Sequence, residues 1–191
     1  SANLSDGAVQ ARLYADCLEA QYGRRPIIFC TNGHLLEMTD DAADLPGSGL
    51  GYPTRQVEGY PSAEQLRQMI NRRTTRKPLA DAVVDPKIAG RDYQQEMIRR
   101  VTESFEHDLR RRSLLVMATG TGKTRVAIAT SKLLRESNWV GNVLFLADRT
   151  ALVNQAHDNL VDHYPESAPV NLLSNPDGVG GVYISTYQTM M

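Results

Sequence analysis

The stretch SLLVMATGTGKTRVAIATSKLLRE, residues 113–136, decides the fold. Ser113 to Met117 is an apolar run of strand length, and the residues after Gly122 carry apolar positions at helical spacing. Between them lies Ala118-Thr119-Gly120-Thr121-Gly122-Lys123-Thr124. Glycines let backbone N–H groups curl around an anion, and a helix starting directly after them adds its partial positive charge. A lysine here reaches the β- and γ-phosphates of a nucleotide, and the next hydroxyl can ligate Mg²⁺. Thr119, Gly120, Thr121, Gly122, Lys123 and Thr124 are therefore assigned to ATP, and Thr124 also to the metal. The literal GxxxxGK[ST] pattern fails at its first position, where Met117 stands in place of glycine.

The neighbouring sequence repeats one theme, an apolar strand followed by a helix. Residues 142–147 (NVLFLA) precede a helix over 150–163, residues 181–185 (GVYIS) form another strand, and a short strand is expected near Val170–Leu173. Upstream, residues 91–111 read as a long amphipathic helix with Met97, Val101, Phe105 and Leu109 on one stripe. Alternation of this kind, with continuous apolar strands, indicates an α/β fold around a parallel sheet covered on both faces.

The first third reads differently. Residues 9–22 form a helix stopped by Gly23, residues 26–31 a short strand, and Asn32-Gly33 a tight hairpin turn returning through His34–Met38. Residues 40–61, rich in Gly, Pro and Asp, read as loop, with Asp40, Asp41 and Asp44 as acidic surface. Ser62 and Gln65 form a capping box opening a helix to about Arg73. Residues 71–90, from the basic run Arg72–Lys77 to Pro86–Gly90, read as a solvated linker. The domain plan is thus 1–60, a helix and linker over 61–90, and 91–191.

Composition bounds the function. Among 191 residues, 21 Lys and Arg face 22 Asp and Glu, a net charge of −1, so any nucleic-acid affinity must be local. A hydrophobic content of 41% excludes a disordered chain. Cys17 and Cys30 supply neither a disulfide framework nor a zinc site and suit a reducing cytoplasm. His34, His107, His157 and His163 have no metal-ligand spacing. No stretch approaches the roughly 18 apolar residues that cross a bilayer.

The loop without its leading glycine resembles superfamily 2 helicases and translocases, and MATGTGKT looks like their restriction-enzyme branch. Three further segments match. Arg91-Asp92-Tyr93-Gln94 resembles the adenine-reading Q motif, which implies that Arg91, Tyr93 and Gln94 bind the nucleotide. LFLADRTAL (residues 144–152) resembles motif Ia, implying Arg149 and Thr150 as DNA-phosphate contacts. Ser185-Thr186-Tyr187-Gln188 looks like the strand-end motif that also touches DNA, implying Ser185 and Thr186.

Gln10 and Tyr14 have the Q-x-x-x-Y spacing of a subset of PD-(D/E)xK nucleases, four residues apart on one helix face. Followed by RRPIIFCTNG and a returning strand, they resemble the tail of the nuclease domain in type I restriction R subunits, the HsdR family. The resemblance implies an incomplete RecA-like first lobe preceded by the end of a nuclease-like α/β domain. It implies ATP and Mg²⁺ as cofactors, and double-stranded DNA with methyltransferase and specificity subunits as partners, without a membrane. Neither a Walker B acidic pair nor a nuclease metal centre occurs in the 191 residues, so the chain is expected to be a piece of a larger protein, inactive by itself. A type III or repair-type helicase, or a non-catalytic connector, are the competing readings.

Overall fold

The computed structural model describes residues 4–42, 52–108, 110 and 112–191. They divide into two compact units, Ser1–Arg76 and Lys77–Met191, a boundary unlike the three-part plan read from the sequence.

The first unit holds helix α1 (Leu4–Tyr22), strands β1 (Ile28–Thr31), β2 (Leu36–Asp40) and β3 (Tyr52–Val57), and helix α2 (Ala63–Thr75). The strands form one antiparallel sheet in the order β1-β2-β3. β3 lies inside the segment read as loop, a correction: Gly and Pro density masked a six-residue strand that pairs along β2. Residues 43–51 of that segment, Asp44 among them, lie outside the described residues.

The hairpin also differs from the expected two-residue turn. Thr31 pairs with Leu36, so four residues make the connection. Only Gly33 takes positive φ, at 89°, while the Asn32 side-chain oxygen accepts from the amides of His34 (3.0 Å) and Leu35 (2.9 Å). Asn32 thus shapes the loop through its side chain rather than its backbone. The capping box on α2 forms as read: the Gln65 amide donates to Ser62 Oγ at 3.2 Å, and the Ser62 amide to Gln65 Oε1 at 2.8 Å.

Two charges in this unit are far from solvated. Asp40 is 1% exposed in β2 and pairs with Arg73 of α2. Arg73 Nε and Nη2 lie 3.0 and 2.8 Å from Asp40 Oδ1, and Nη1 donates to the Arg25 carbonyl. Arg25 in turn binds Asp41, Asp16 and Glu19. The acidic loop and basic linker of the sequence reading are therefore, at Asp40 and Arg73, the two halves of one buried ion pair.

The second unit holds α3 (Asp92–Glu106), α4 (Lys123–Glu136), β4 (Val143–Ala147), α5 (Thr150–His163), β5 (Pro169–Asn171), β6 (Val182–Thr186) and a final short helix, α6 (Tyr187–Met190). Its sheet is parallel, in the order β4-β6-β5. α5 packs against all three strands through Val153, Ala156 and Leu160, one face of the helix. α4 contributes Val126, Ala129 and Leu133 to the same core.

The run 113–117 is the main departure. It carries no strand, and Leu114 and Val116 are 90% and 80% exposed. A strand exists through its ladder. In the described structure β4 pairs only with β6, and residues 113–117 pair with none of the three strands. Apolar content alone gives such a run no regular structure.

Residues 77–90 are no linker either. Leu79, Ile88 and Ala89 are buried in the core of this unit. Glu106, itself buried, accepts from the Leu79 amide with both carboxylate oxygens (3.0 and 3.1 Å) and from the Ala80 amide (3.0 Å). Lys132 pairs with Asp85 at 2.7 Å, and Trp139 Nε1 donates to the Lys77 carbonyl at 2.9 Å. Glu106→Gln keeps the shape but replaces a charged acceptor with a neutral amide. We expect it to destabilise the protein by about 1.5 kcal/mol in urea unfolding. An unchanged midpoint would show that the carboxylate does not hold this segment.

Three carboxyls titrate below the ordinary carboxylate range: Asp41, through its hydrogen bonds from Arg25, Asp85, through that from Lys132, and Glu96, through those from Arg99 and Arg100. Their contribution to stability is present above the unfolded value of about 4 and lost as pH falls through the lower folded values. The Lys132 pKa is raised by Asp85, so that pair is also lost at the other end, above about pH 10.4. Urea midpoints should therefore stay level between about pH 5 and 9 and fall below about pH 4. Lys132→Gln should make the acid decline shallower; an identical decline would contradict the Asp85 assignment.

Candidate nucleotide site

The loop 118–122 joins an irregular segment to α4. Gly120 and Gly122 take φ of 79° and 88°, in the left-handed region that disfavours a side chain. Gly122 is the N-cap of α4, with no side-chain cap bond and no acidic residue in the first turn. The first amides of the helix therefore keep their donor capacity for an external acceptor, and the positive end of the helix dipole meets no carboxylate from its own first turn.

Lys123 is exposed, and its Nζ donates to the carbonyls of Met117 and Ala118, at 3.2 Å each. The ammonium thus rests on the loop's own backbone, held by neutral acceptors that a phosphate oxygen outcompetes. Thr121 closes the turn, its Oγ1 donating to the Ala118 carbonyl at 2.7 Å. Thr119 is exposed and Thr124 half-buried in the first turn of α4. The donor set suits a nucleotide phosphate with Mg²⁺: one flexible ammonium, uncapped amides, a hydroxyl, and glycines where a side chain would strain the loop.

The segment expected to read adenine is turned onto this loop. Gln94 is 4% exposed at the start of α3. Its Oε1 accepts from the Arg91 amide at 3.4 Å, and its Nε2 donates to the Thr121 carbonyl at 2.9 Å. Tyr93 donates its hydroxyl proton to the same carbonyl at 2.8 Å, and Arg91 Nη1 donates to the Tyr93 oxygen at 2.9 Å. A Cβ on Gly122 would come within 2.5 Å of Gln94 Nε2, so any side chain there would displace that amide as well as strain the φ of 88°. A cleft of about 490 Å³ between α3 and residues 79–84 has none of the loop residues in its wall.

A family profile described as "Type III restriction enzyme, res subunit" matches residues 87–191, more than half of the chain. The chain belongs to this family. Two Escherichia coli proteins are similar to the chain. The chain is 35% identical over 102 residues to the type I restriction enzyme EcoAI endonuclease subunit, covering 52% of this chain and 12% of that protein. It is 44% identical over 66 residues to the EcoKI endonuclease subunit of strain K12, covering 35% of this chain and 6% of that protein. The chain therefore spans a small part of these relatives' lengths. A solved fragment assigned to an HsdR subunit of a type I restriction enzyme from Vibrio vulnificus YJ016 superposes with a TM-score of 0.40 at 24% identity, over 99% of this chain and 33% of that one.

The remaining residues singled out in this res-family chain fall into three pairs. Arg149 is exposed, 3.6 Å from Asp148, and is itself the N-cap of α5, with Thr150 the exposed first residue of that helix. Both are open to solvent, as a phosphate contact would require. Ser185 and Thr186 are not, because they are 0% and 6% exposed. Thr186 Oγ1 accepts from the Thr189 amide at 3.3 Å, capping α6. β6 lies between its two neighbours and is buried from Ile184 to Thr186, which takes these hydroxyls inside. In the first unit, Gln10 and Tyr14 do share a face of α1: both are exposed, and Gln10 Nε2 donates to Tyr14 Oη at 2.9 Å.

What the sequence reading missed at this site is the Thr121 carbonyl, the acceptor on which Tyr93 and Gln94 converge. A backbone oxygen leaves no mark in a sequence. Only the unusual pairing of Tyr93 beside Gln94 could have raised the question.

Proposed function

We propose that this chain is part of the motor and restriction subunit of a type I restriction-modification enzyme, an ATP-dependent DNA translocase and endonuclease. The observation that carries the reading is the uncapped helix start behind Gly120–Lys123, in a chain whose relatives are type I endonuclease subunits. ATP binds with its phosphates on the loop amides and Lys123 and with Mg²⁺ at Thr124. Residues 77–191 represent part of the first RecA-like lobe of the motor. Residues 1–60 represent the end of a nuclease-like domain, in which Gln10 and Tyr14 are accessory groups.

Double-stranded DNA passes the motor, with Arg149 and Thr150 touching its backbone and Ser185 and Thr186 fixing the end of β6. Methyltransferase and specificity subunits supply site recognition. Within the 191 residues nucleotide is bound weakly and turned over negligibly, since phosphoryl transfer needs a Walker B acidic pair to hold Mg²⁺ and orient the attacking water, and these residues contain none. Calorimetric titration with Mg-ADP tests the reading. Saturable binding supports it, and a folded chain that binds neither Mg-ADP nor Mg-ATP overturns the nucleotide assignment.

A further inference from the structure

Three donors converge in series on the glycine loop from the start of α3. Arg91 Nη1 donates to Tyr93 Oη, Tyr93 Oη donates to the Thr121 carbonyl, and Gln94 Nε2 donates to that same carbonyl. Both lone pairs of the oxygen are thereby engaged. Thr121 has no freedom to turn through its side chain either, because Oγ1 is bonded to the Ala118 carbonyl.

The consequence lies on the other side of the peptide. The unit joining Thr121 to Gly122 is planar, and no peptide in the described chain is cis. In a trans peptide the N–H points opposite to the C=O. Holding the Thr121 oxygen against α3 therefore aims the Gly122 N–H away from α3. Gly120 and Gly122, with φ of 79° and 88°, stand on either side of Thr121, so without an anchor the Thr121–Gly122 peptide is easily flipped. The Arg91 guanidinium also polarises the phenol, strengthening the bond the phenol gives.

From this geometry we infer that Tyr93 is a positioning residue for the phosphate cradle. It is held by Arg91 and orients the Thr121–Gly122 peptide so that Gly122 N–H donates to a nucleotide phosphate. The inference rests on the nucleotide reading above and assigns Tyr93 and Arg91 to the loop rather than to the base. The ligand features it serves are the phosphates, common to any nucleoside di- or triphosphate.

The test compares the 191-residue chain with Tyr93→Phe, which keeps the ring and removes the hydroxyl, and with Arg91→Met as a second variant that keeps the phenol. Without ligand, the ¹³C resonance of the Thr121 carbonyl and the ¹⁵N resonance of Gly122 should shift in Tyr93→Phe, while resonances of β5 and β6 stay in place. Calorimetry with Mg-pyrophosphate and Mg-ADP should show both weakened by the same factor, about three- to tenfold, the size expected for one hydrogen bond. Arg91→Met should weaken both by a smaller, again equal, factor.

A loss confined to Mg-ADP with pyrophosphate unchanged would overturn the inference and return Tyr93 to the base. Unmoved Thr121 and Gly122 resonances would overturn it whatever the affinities. If the resonances shift but the unsubstituted chain binds neither ligand, the nucleotide reading fails, and the positioning role falls with it, leaving a structural tether. That result is distinguishable from the other two.

Discussion

Lys123→Ala raises the Kd for Mg-ADP about 100-fold and leaves the urea midpoint where it was. The magnitude follows from removing one charge-assisted interaction with a phosphate, about 2.7 kcal/mol where each tenfold in affinity is about 1.4. The unchanged stability follows from the structure: Lys123 is exposed, and among the described residues its ammonium is hydrogen-bonded to the Met117 and Ala118 carbonyls, both of which have water as an alternative donor. Lys123→Arg should restore little, since a planar fork does not replace a compact ammonium in a tight loop. Calorimetry on the three proteins, with circular dichroism to show that each is folded, reads the result. If Mg-ADP binds the alanine variant within about threefold of the parent, the loop is not the phosphate site.

The largest effect on stability is expected at the opposite end of the chain. Arg73→Ala should cost about 3–5 kcal/mol, because it leaves the Asp40 carboxylate, 1% exposed, without its counter-ion inside the first unit. The pair itself is a different matter. Asp40→Leu combined with Arg73→Met removes both charges at similar volume and should lie within about 1.5 kcal/mol of the parent. A double-mutant cycle in urea would therefore give a large coupling, the double variant far more stable than the two single losses added together. Additive losses would mean that the two side chains are not energetically linked, and the buried pair would have to be reconsidered. Because the two units are compact in their own right, the loss should show in probes of the first unit, such as Tyr60 beside Phe29, before those of the second, such as Trp139.

Much of this was legible in the residues. The apolar spacing of Val126, Ala129 and Leu133 gave α4, and that of Val153, Ala156 and Leu160 gave α5, because a helix that buries one stripe must repeat apolar residues at that period. Ser62 and Gln65 announced α2, since a capping box is a local arrangement within four residues. The glycine loop was equally plain: its chemistry needs small residues and a lysine in immediate succession.

The misreadings share one cause, dependence on a distant partner. Residues 113–117 have the composition of a strand, yet a strand is made by its neighbour, and none of the described strands takes that place. Tyr52–Val57 has a poor strand composition and is one because β2 lies beside it. Gln94, expected to meet adenine, also donates to a carbonyl 27 residues along the chain, a contact that no local pattern announces.

The sequence alone determined the helices, the α/β character of the second unit and the glycine-lysine loop proposed to hold phosphate, all of them set by contacts within a few residues or by periodicity. Tertiary structure alone decided that Asp40 and Arg73 are buried, that residues 77–90 belong to a core, and that Ser185 and Thr186 face inward. Burial and charge pairing are properties of what surrounds a residue, and chain order does not carry the surroundings.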